Sequence, residues 1–191
     1  MGTCKRQKEP MVSATNFPWF SALEISQQEL IKLSYFLYQR EAGLGGLGSA
    51  SALAGRVNRG LYDYSFVVFP IAKAYEGFLK QYLYDLQLID ERTFVGRRFR
   101  IGRAMNPDIR ESQQDEFWLY DDLELLCGKQ TAHVLWQTWL QCRNRVVHFF
   151  PKEEHKITLS AAHERIEMVI ETIDMAYQCK VDLDKQQYTA Q

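Results

Sequence analysis

Residues 61–88, LYDYSFVVFPIAKAYEGFLKQYLYDLQL, decide the fold class. Val68, Ile71, Ala72, Tyr75, Leu79, Tyr82, Leu83 and Leu86 recur three and four apart. That spacing lines up side chains on one stripe of an α-helix, whereas a strand would alternate every second residue. The pattern predicts one long helix over about 61–88. Pro70 lacks an N–H and crowds the preceding turn, so it should kink or break that helix.

The same reading extends outward in both directions. Ser26-Gln-Gln-Glu29 has the form of a capping box and precedes Leu30, Leu33, Phe36 and Leu37, so a helix is expected at about 26–41. It should stop in the glycine-rich stretch Gly43-Leu-Gly45-Gly46-Leu-Gly48. That stretch matches GxGxxG, but a helix rather than a strand precedes it, and the dinucleotide fingerprint needs a βαβ setting. It is read as a helix connection. Residues 1–24 form a lead-in anchored by Phe17, Trp19 and Phe20. Toward the C-terminus, residues 90–112 are irregular and arginine-rich, and 115–127 suit a short acidic helix. A further helix over 129–149 carries Ala132, Leu135, Trp136, Trp139 and Val146 on one stripe and ends before Pro151. The last helix, over 159–180, buries Ala162, Ile166, Val169, Ile170, Ile173 and Tyr177, and 182–191 is a polar tail. The expected architecture is all-α: a bundle of four main helices over 25–181 with an inserted arginine-rich arm.

Composition narrows the function classes. With 191 residues, 46% hydrophobic and 25% charged, the chain suits one globular domain. The net charge of -1 means that any attraction to nucleic acid must come from local clustering. No apolar run reaches the roughly 20 residues needed to span a bilayer, and Met1–Pro10 lacks the apolar stretch of a signal peptide. A cytoplasmic protein without membrane contact is the expectation. Cys4, Cys127, Cys142 and Cys179 are scattered and form no CxxC pair, so reduced thiols are expected, with neither a metal site nor a disulfide framework.

Chemistry concentrates in Arg143-Asn144-Arg145-Val146-Val147-His148. Arg143 falls between Trp139 and Val146 on an apolar stripe, and a charge placed toward a core needs a partner or a purpose. A structural salt bridge to Glu76 or Glu171 would satisfy it. His148 stands at a helix end, where the dipole favours the imidazolium form. It can equally be a surface capping residue. Residues five apart on an ideal helix point about 140° away from each other. A straight helix therefore cannot bring Arg143 and His148 together. Either the last turn is distorted ahead of Pro151, or a second copy completes the site.

The hexapeptide resembles the Arg-x4-6-His signature of the HEPN superfamily, in which asparagine commonly follows the arginine. Pro70-Ile-Ala-Lys73-Ala-Tyr75-Glu76-Gly-Phe78-Leu79-Lys80 and Phe99-Arg100-Ile101-Gly102-Arg103-Ala104-Met105-Asn106-Pro107 are similar to the HEPN domain of RNase LS-type phage-defence toxins. The resemblance covers roughly residues 60–180 and does not extend to the further N-terminal domains of those toxins. It implies an endoribonuclease that needs no metal or other cofactor. The RNA 2′-hydroxyl attacks the neighbouring phosphate, leaving 2′,3′-cyclic phosphate and 5′-hydroxyl ends. His148 then acts as general acid or base and Arg143 steadies the phosphate, with Asn144, Glu76 and Lys73 completing the catalytic set. Lys73 departs from the arginine usual there and loses its bidentate fork. Otherwise Lys73 and Glu76 form an ordinary one-turn ion pair. The resemblance also implies a two-fold homodimer and a toxin or phage-defence effector held by an antitoxin or other inhibitory protein. Phe150 occupies the position where nucleotide-accepting relatives carry tyrosine, which argues against that mode of control. The alternative is a HEPN-like helical protein that binds nucleotides or a partner and does not cleave.

Arg92, Arg97, Arg98, Arg100, Arg103 and Arg110 fall within nineteen residues, together with Phe94 and Phe99. Arginines contact phosphates and aromatic rings stack on bases. Arg97, Arg98, Arg100 and Arg103, with Arg145, are the candidate RNA contacts. The competing reading pairs these charges with Glu111, Asp115, Glu116, Asp121, Asp122 and Glu124, which come immediately after them.

Overall fold

The computed structural model describes residues 14–47, 63–148, 151 and 156–189. These residues are helical throughout their regular elements, with no strand among them. Four long helices carry the core: α1 (Ile25–Leu47), α2 (Ser65–Asp85), α5 (Tyr120–Thr138) and α7 (Leu159–Thr189). Two short helices, α3 (Glu91–Val95) and α4 (Ile101–Ala104), lie between α2 and α5. A π-helical turn, Trp139–Asn144, succeeds α5 and runs into α6 (Arg145–Val147).

α2 is the central element, as its apolar stripe predicts. Val68, Ile71, Ala72, Tyr75, Leu79, Tyr82 and Leu83 are all buried. α1 lies antiparallel against it, since Ser34 meets Ile71 while Gln27 meets Gly77. A Cβ at Gly77 would stand 2.6 Å from the Gln27 amide nitrogen, the end of a side chain that lies over the glycine. Pro70 lies inside α2 without ending it. Just past it, the Ile71 amide donates to Ser34 Oγ at 2.9 Å, and both residues are fully buried. The hydroxyl thus serves the backbone where proline disturbs the helix ladder. Tyr75 OH donates to the Leu135 carbonyl at 2.9 Å and sets α2 against α5. Thr138 and Thr172 share a buried hydroxyl contact of 2.8 Å between α5 and α7.

Several boundaries differ from the sequence expectation. α1 starts at Ile25 and runs through Gly43, Gly45 and Gly46 to Leu47; Gly48 lies outside the described residues. The capping box does not form, because the helix already starts at Ile25 and Ser26 falls inside its first turn; Glu29 pairs with Lys32 at 2.8 Å. The lead-in belongs to the core: Trp19 is 1% exposed and Phe20 7%, on a 3-10 turn at Pro18–Ala22. The polar tail is helix to Thr189, continuing α7. Gly128, at φ 82°, breaks α5 where the acidic helix was expected to give way to the next.

The cysteine expectation needs correction. Cys127 and Cys179 form a disulfide that ties α5 to α7 across 52 residues. Scattered cysteines carry no spacing signal, so only the meeting of the two helices reveals the pair. Cys142 alone of the described cysteines is a free buried thiol. No described helix is long and apolar enough to cross a membrane.

Ser34→Ala strands the Ile71 amide in the core and should cost roughly 1–3 kcal/mol in urea denaturation; an unchanged midpoint would show that the helix satisfies this amide without the hydroxyl. Reducing the disulfide releases a long loop, worth about 4 kcal/mol in the chain-entropy account. Denaturation with and without a thiol reductant should show a loss near that size, and coincident curves would contradict the cross-link's structural role.

Candidate functional site

The site is built where α5 stops being an α-helix. Through Trp139–Asn144 the chain winds with i→i+5 bonds, and the Arg145 amide donates to the Leu140 carbonyl. A π turn accommodates an extra residue and so rotates the side chains after it relative to those before it. His148 then leaves helical geometry, at φ −97° and ψ 139°. These two departures remove the 140° mismatch of an ideal helix. Arg143 Nη1 and His148 Nε2 lie 3.3 Å apart within one chain. Distortion of the last turn, one of the two resolutions the sequence offers, is thus present within a single chain.

Arg143 is held on two further sides. Its Nε donates to Glu76 Oε2 of α2 at 3.2 Å, and its guanidinium lies over the Trp139 ring, 5.0 Å from the centroid. Its side chain is 25% exposed and that of Glu76 43%, so the pair sits at the mouth of the core with solvent on one side. Screening at that exposure makes the pair worth at most about 1 kcal/mol. It serves orientation more than stability. Glu76 is the partner, and Glu171 instead faces Glu167, whose carboxyl is raised by burial and by the Glu171 charge. The π turn is itself braced by α7. Arg165 Nε donates to the Gln141 carbonyl at 3.2 Å, and the Cys142 thiol points at the Arg165 carbonyl at 3.6 Å. Burial pushes that thiol up to about 12, against a smaller downward pull from Arg165. Cys142 is therefore packing, not a nucleophile.

The remaining catalytic candidates are less engaged. Lys73 is exposed on α2 and forms no ion pair with Glu76 or with any other described residue. The one-turn ion pair that was the alternative to a catalytic role does not form. Asn144 is half-buried, and its carbonyl accepts the His148 amide at 3.2 Å. Its side chain makes no hydrogen bond among the described residues. Arg145 is exposed and takes no part in the pairing that holds Arg143. Phe149 and Phe150 lie outside the described residues. Among the described residues, no group of three or more His, Cys, Asp or Glu is placed to hold a metal ion.

The arginine-rich segment comes together as a cleft of about 940 Å³. Arg92, Arg97, Arg98, Arg100 and Arg103 all line it, with Phe99 and Phe117. Arg103 is committed to Asp115 at 2.8 Å and to the Gln113 carbonyl at 2.8 Å, so it ties down the loop. The other four form no ion pair among the described residues. Ion pairing with the neighbouring acidic stretch therefore accounts for Arg103, while the Arg92 charge acts on Asp90. The cleft adjoins the Arg143 site through α4. A Cβ on Gly102 would stand 2.5 Å from Trp139 Nε1, on the ring whose face carries Arg143.

Trp139 was legible as a core residue but not as the platform under Arg143. Its four-residue spacing from that arginine was the available signal. Nothing in Trp139–Asn144 announces a π turn, since it contains neither proline nor glycine. Compared with protein-family models, curated proteins and solved structures, the chain has no match.

Gly102→Ala would push a methyl group into the Trp139 ring and displace Arg143. It should cost about 1–3 kcal/mol in thermal or urea unfolding, as overpacking does, and shift tryptophan emission. Wild-type stability and emission would show that α4 yields instead of the ring.

Proposed function

We propose that this protein is an endoribonuclease that cleaves RNA by internal attack of the 2′-hydroxyl, with Arg143 and His148 at its active site. The observation that carries the reading is the 3.3 Å approach of Arg143 Nη1 to His148 Nε2, with Glu76 fixing the same guanidinium from the other side. A cation carrier and a proton carrier thus face one solvent-open point.

The chemistry uses groups already aligned. With the imidazole neutral and its proton on Nδ1, Nε2 accepts the Arg143 N–H, because a guanidinium can only donate. A phosphate arriving at Arg143 would draw the guanidinium onto its non-bridging oxygens. That frees Nε2 to take the 2′-hydroxyl proton. The 2′-oxygen bonds to phosphorus, the bond to the 5′-oxygen breaks, and that oxygen leaves with a proton. The products are a 2′,3′-cyclic phosphate and a 5′-hydroxyl. Glu76 would hold Arg143 against the pull of the substrate. Asn144, its side chain uncommitted among the described residues, would contact a phosphate oxygen. Lys73, one turn from Glu76 on α2, would add positive charge to the approach rather than act on the reacting atoms.

A single chain supplies one histidine, and the reaction moves two protons. A two-fold homodimer would bring a second His148 to donate to the leaving oxygen. This completes the HEPN-type reading, including a toxin or phage-defence role restrained by an inhibitory partner. A cytoplasmic setting belongs to it as well. The Cys127–Cys179 disulfide weighs against that setting, because structural disulfides persist mainly in oxidising compartments. The second reading, a helical binding protein without activity, has one observation in its favour: the Arg143–Glu76 pair is the salt bridge such a protein would need.

Purified protein should cut single-stranded RNA in the presence of EDTA. His148→Ala should lower the rate by about 10²–10⁴-fold, the usual contribution of a general acid–base group, while keeping the fold. If wild type and variant are equally inert on varied RNAs, the binding-protein reading replaces this one.

A further inference from the structure

We infer that the arginine cleft formed by α3, α4 and the segment that precedes α5 is a substrate subsite for unpaired RNA. It would grip backbone phosphates beside the scissile one and stack a base on its aromatic wall. The inference rests on the ribonuclease reading above and adds the form of the substrate. Three observations converge on it. Arg92, Arg97, Arg98 and Arg100 open onto one cavity, all exposed and without an ion pair among the described residues. Arg97, Arg98 and Arg100, lining one cavity without such partners, favour a ligand of repeated negative charge. The same cavity is walled by Phe99 and by Phe117, which is 43% exposed. Aromatic faces beside arginines suit nucleobases, whereas an acidic peptide would have no use for them.

Size and position narrow the choice further. About 940 Å³ is at the upper end of the roughly 300–1,000 Å³ found for pockets that enclose small ligands. It has room for very few nucleotides of one strand. RNA bases must also be unstacked from a helix before side chains can reach their faces. Glu116 lines the cavity too and offers acceptors to the exocyclic amino group of a base, while Asp90 caps α3 by accepting the Thr93 amide. The floor of the cleft, α4, rests on the Trp139 ring that carries Arg143. The cleft and the Arg143 site thus share the buried Trp139 ring as a common support.

Binding is measured separately from cleavage, with a fluorescent single-stranded RNA oligonucleotide and His148→Ala protein across a salt series. Arg97→Ala/Arg98→Ala/Arg100→Ala in that background should weaken binding at least tenfold. It should also flatten the salt dependence by about two, near 0.7 for each lost phosphate contact on a single strand. Arg103 is left intact because it holds the loop to Asp115. Phe117→Ala should weaken binding roughly tenfold with the salt slope unchanged, as loss of one stacked base does. Circular dichroism checks that both variants keep their helix content. Unchanged affinity and slope in the arginine variant overturns the inference. Equal binding of duplex RNA, or displacement by polyglutamate at matched charge, overturns it too. Tight binding that depends on the cleft, in a wild type that never cuts, would sink the ribonuclease reading and leave the RNA cleft standing.

Discussion

An α-helix cannot place residues 143 and 148 side by side, and the candidate site exists because the chain leaves α geometry between Trp139 and Asn144. The π turn is stabilised from outside itself. Arg165 of α7 supplies a donor to the Gln141 carbonyl, and Cys142 is packed beneath it. From the other side α2 offers Glu76 to the arginine the turn presents. Tyr75, the neighbour of Glu76, is pinned to the Leu135 carbonyl of α5, so the two halves of the ion pair are set by the same helix–helix register. Packing of α2, α5 and α7 thus fixes the position of one guanidinium.

The fold class was readable from residues 61–88 because burial on one helical stripe leaves a period that composition cannot hide. The core positions of α2, α5 and α7 keep that period closely. What was not readable depends on tertiary partners. Ser34 rescues the amide beyond Pro70 from another helix, so α2 continues where local rules expected a break. Glycines 43, 45 and 46 remain helical for a reason their own propensity does not supply. The Cys127–Cys179 bond spans elements that meet only after folding.

The site was legible to a similar degree. Arg143, His148 and Glu76 stood out through a motif and a charge out of place, and the structure brings these three together. Lys73 and Arg145 stood out by position along the chain, and both are exposed and join none of the contacts that hold Arg143. The segment rich in arginine posed a choice between neutralised and available charge that sequence order could not make. Adjacent acidic residues made pairing look natural. Pairing requires geometry, and Asp115 reaches Arg103 alone.

The most direct test of the central claim is the chemistry of the cut ends. Products from a defined single-stranded RNA, analysed by mass spectrometry beside the same strand with a 2′-deoxy residue at the cleavage position, report which nucleophile was used. Attack by the 2′-hydroxyl at the Arg143–His148 site predicts a 2′,3′-cyclic phosphate, a 5′-hydroxyl and no cleavage of the deoxy-substituted position. A 5′-phosphate end, or equal cutting of the deoxy strand, would contradict it.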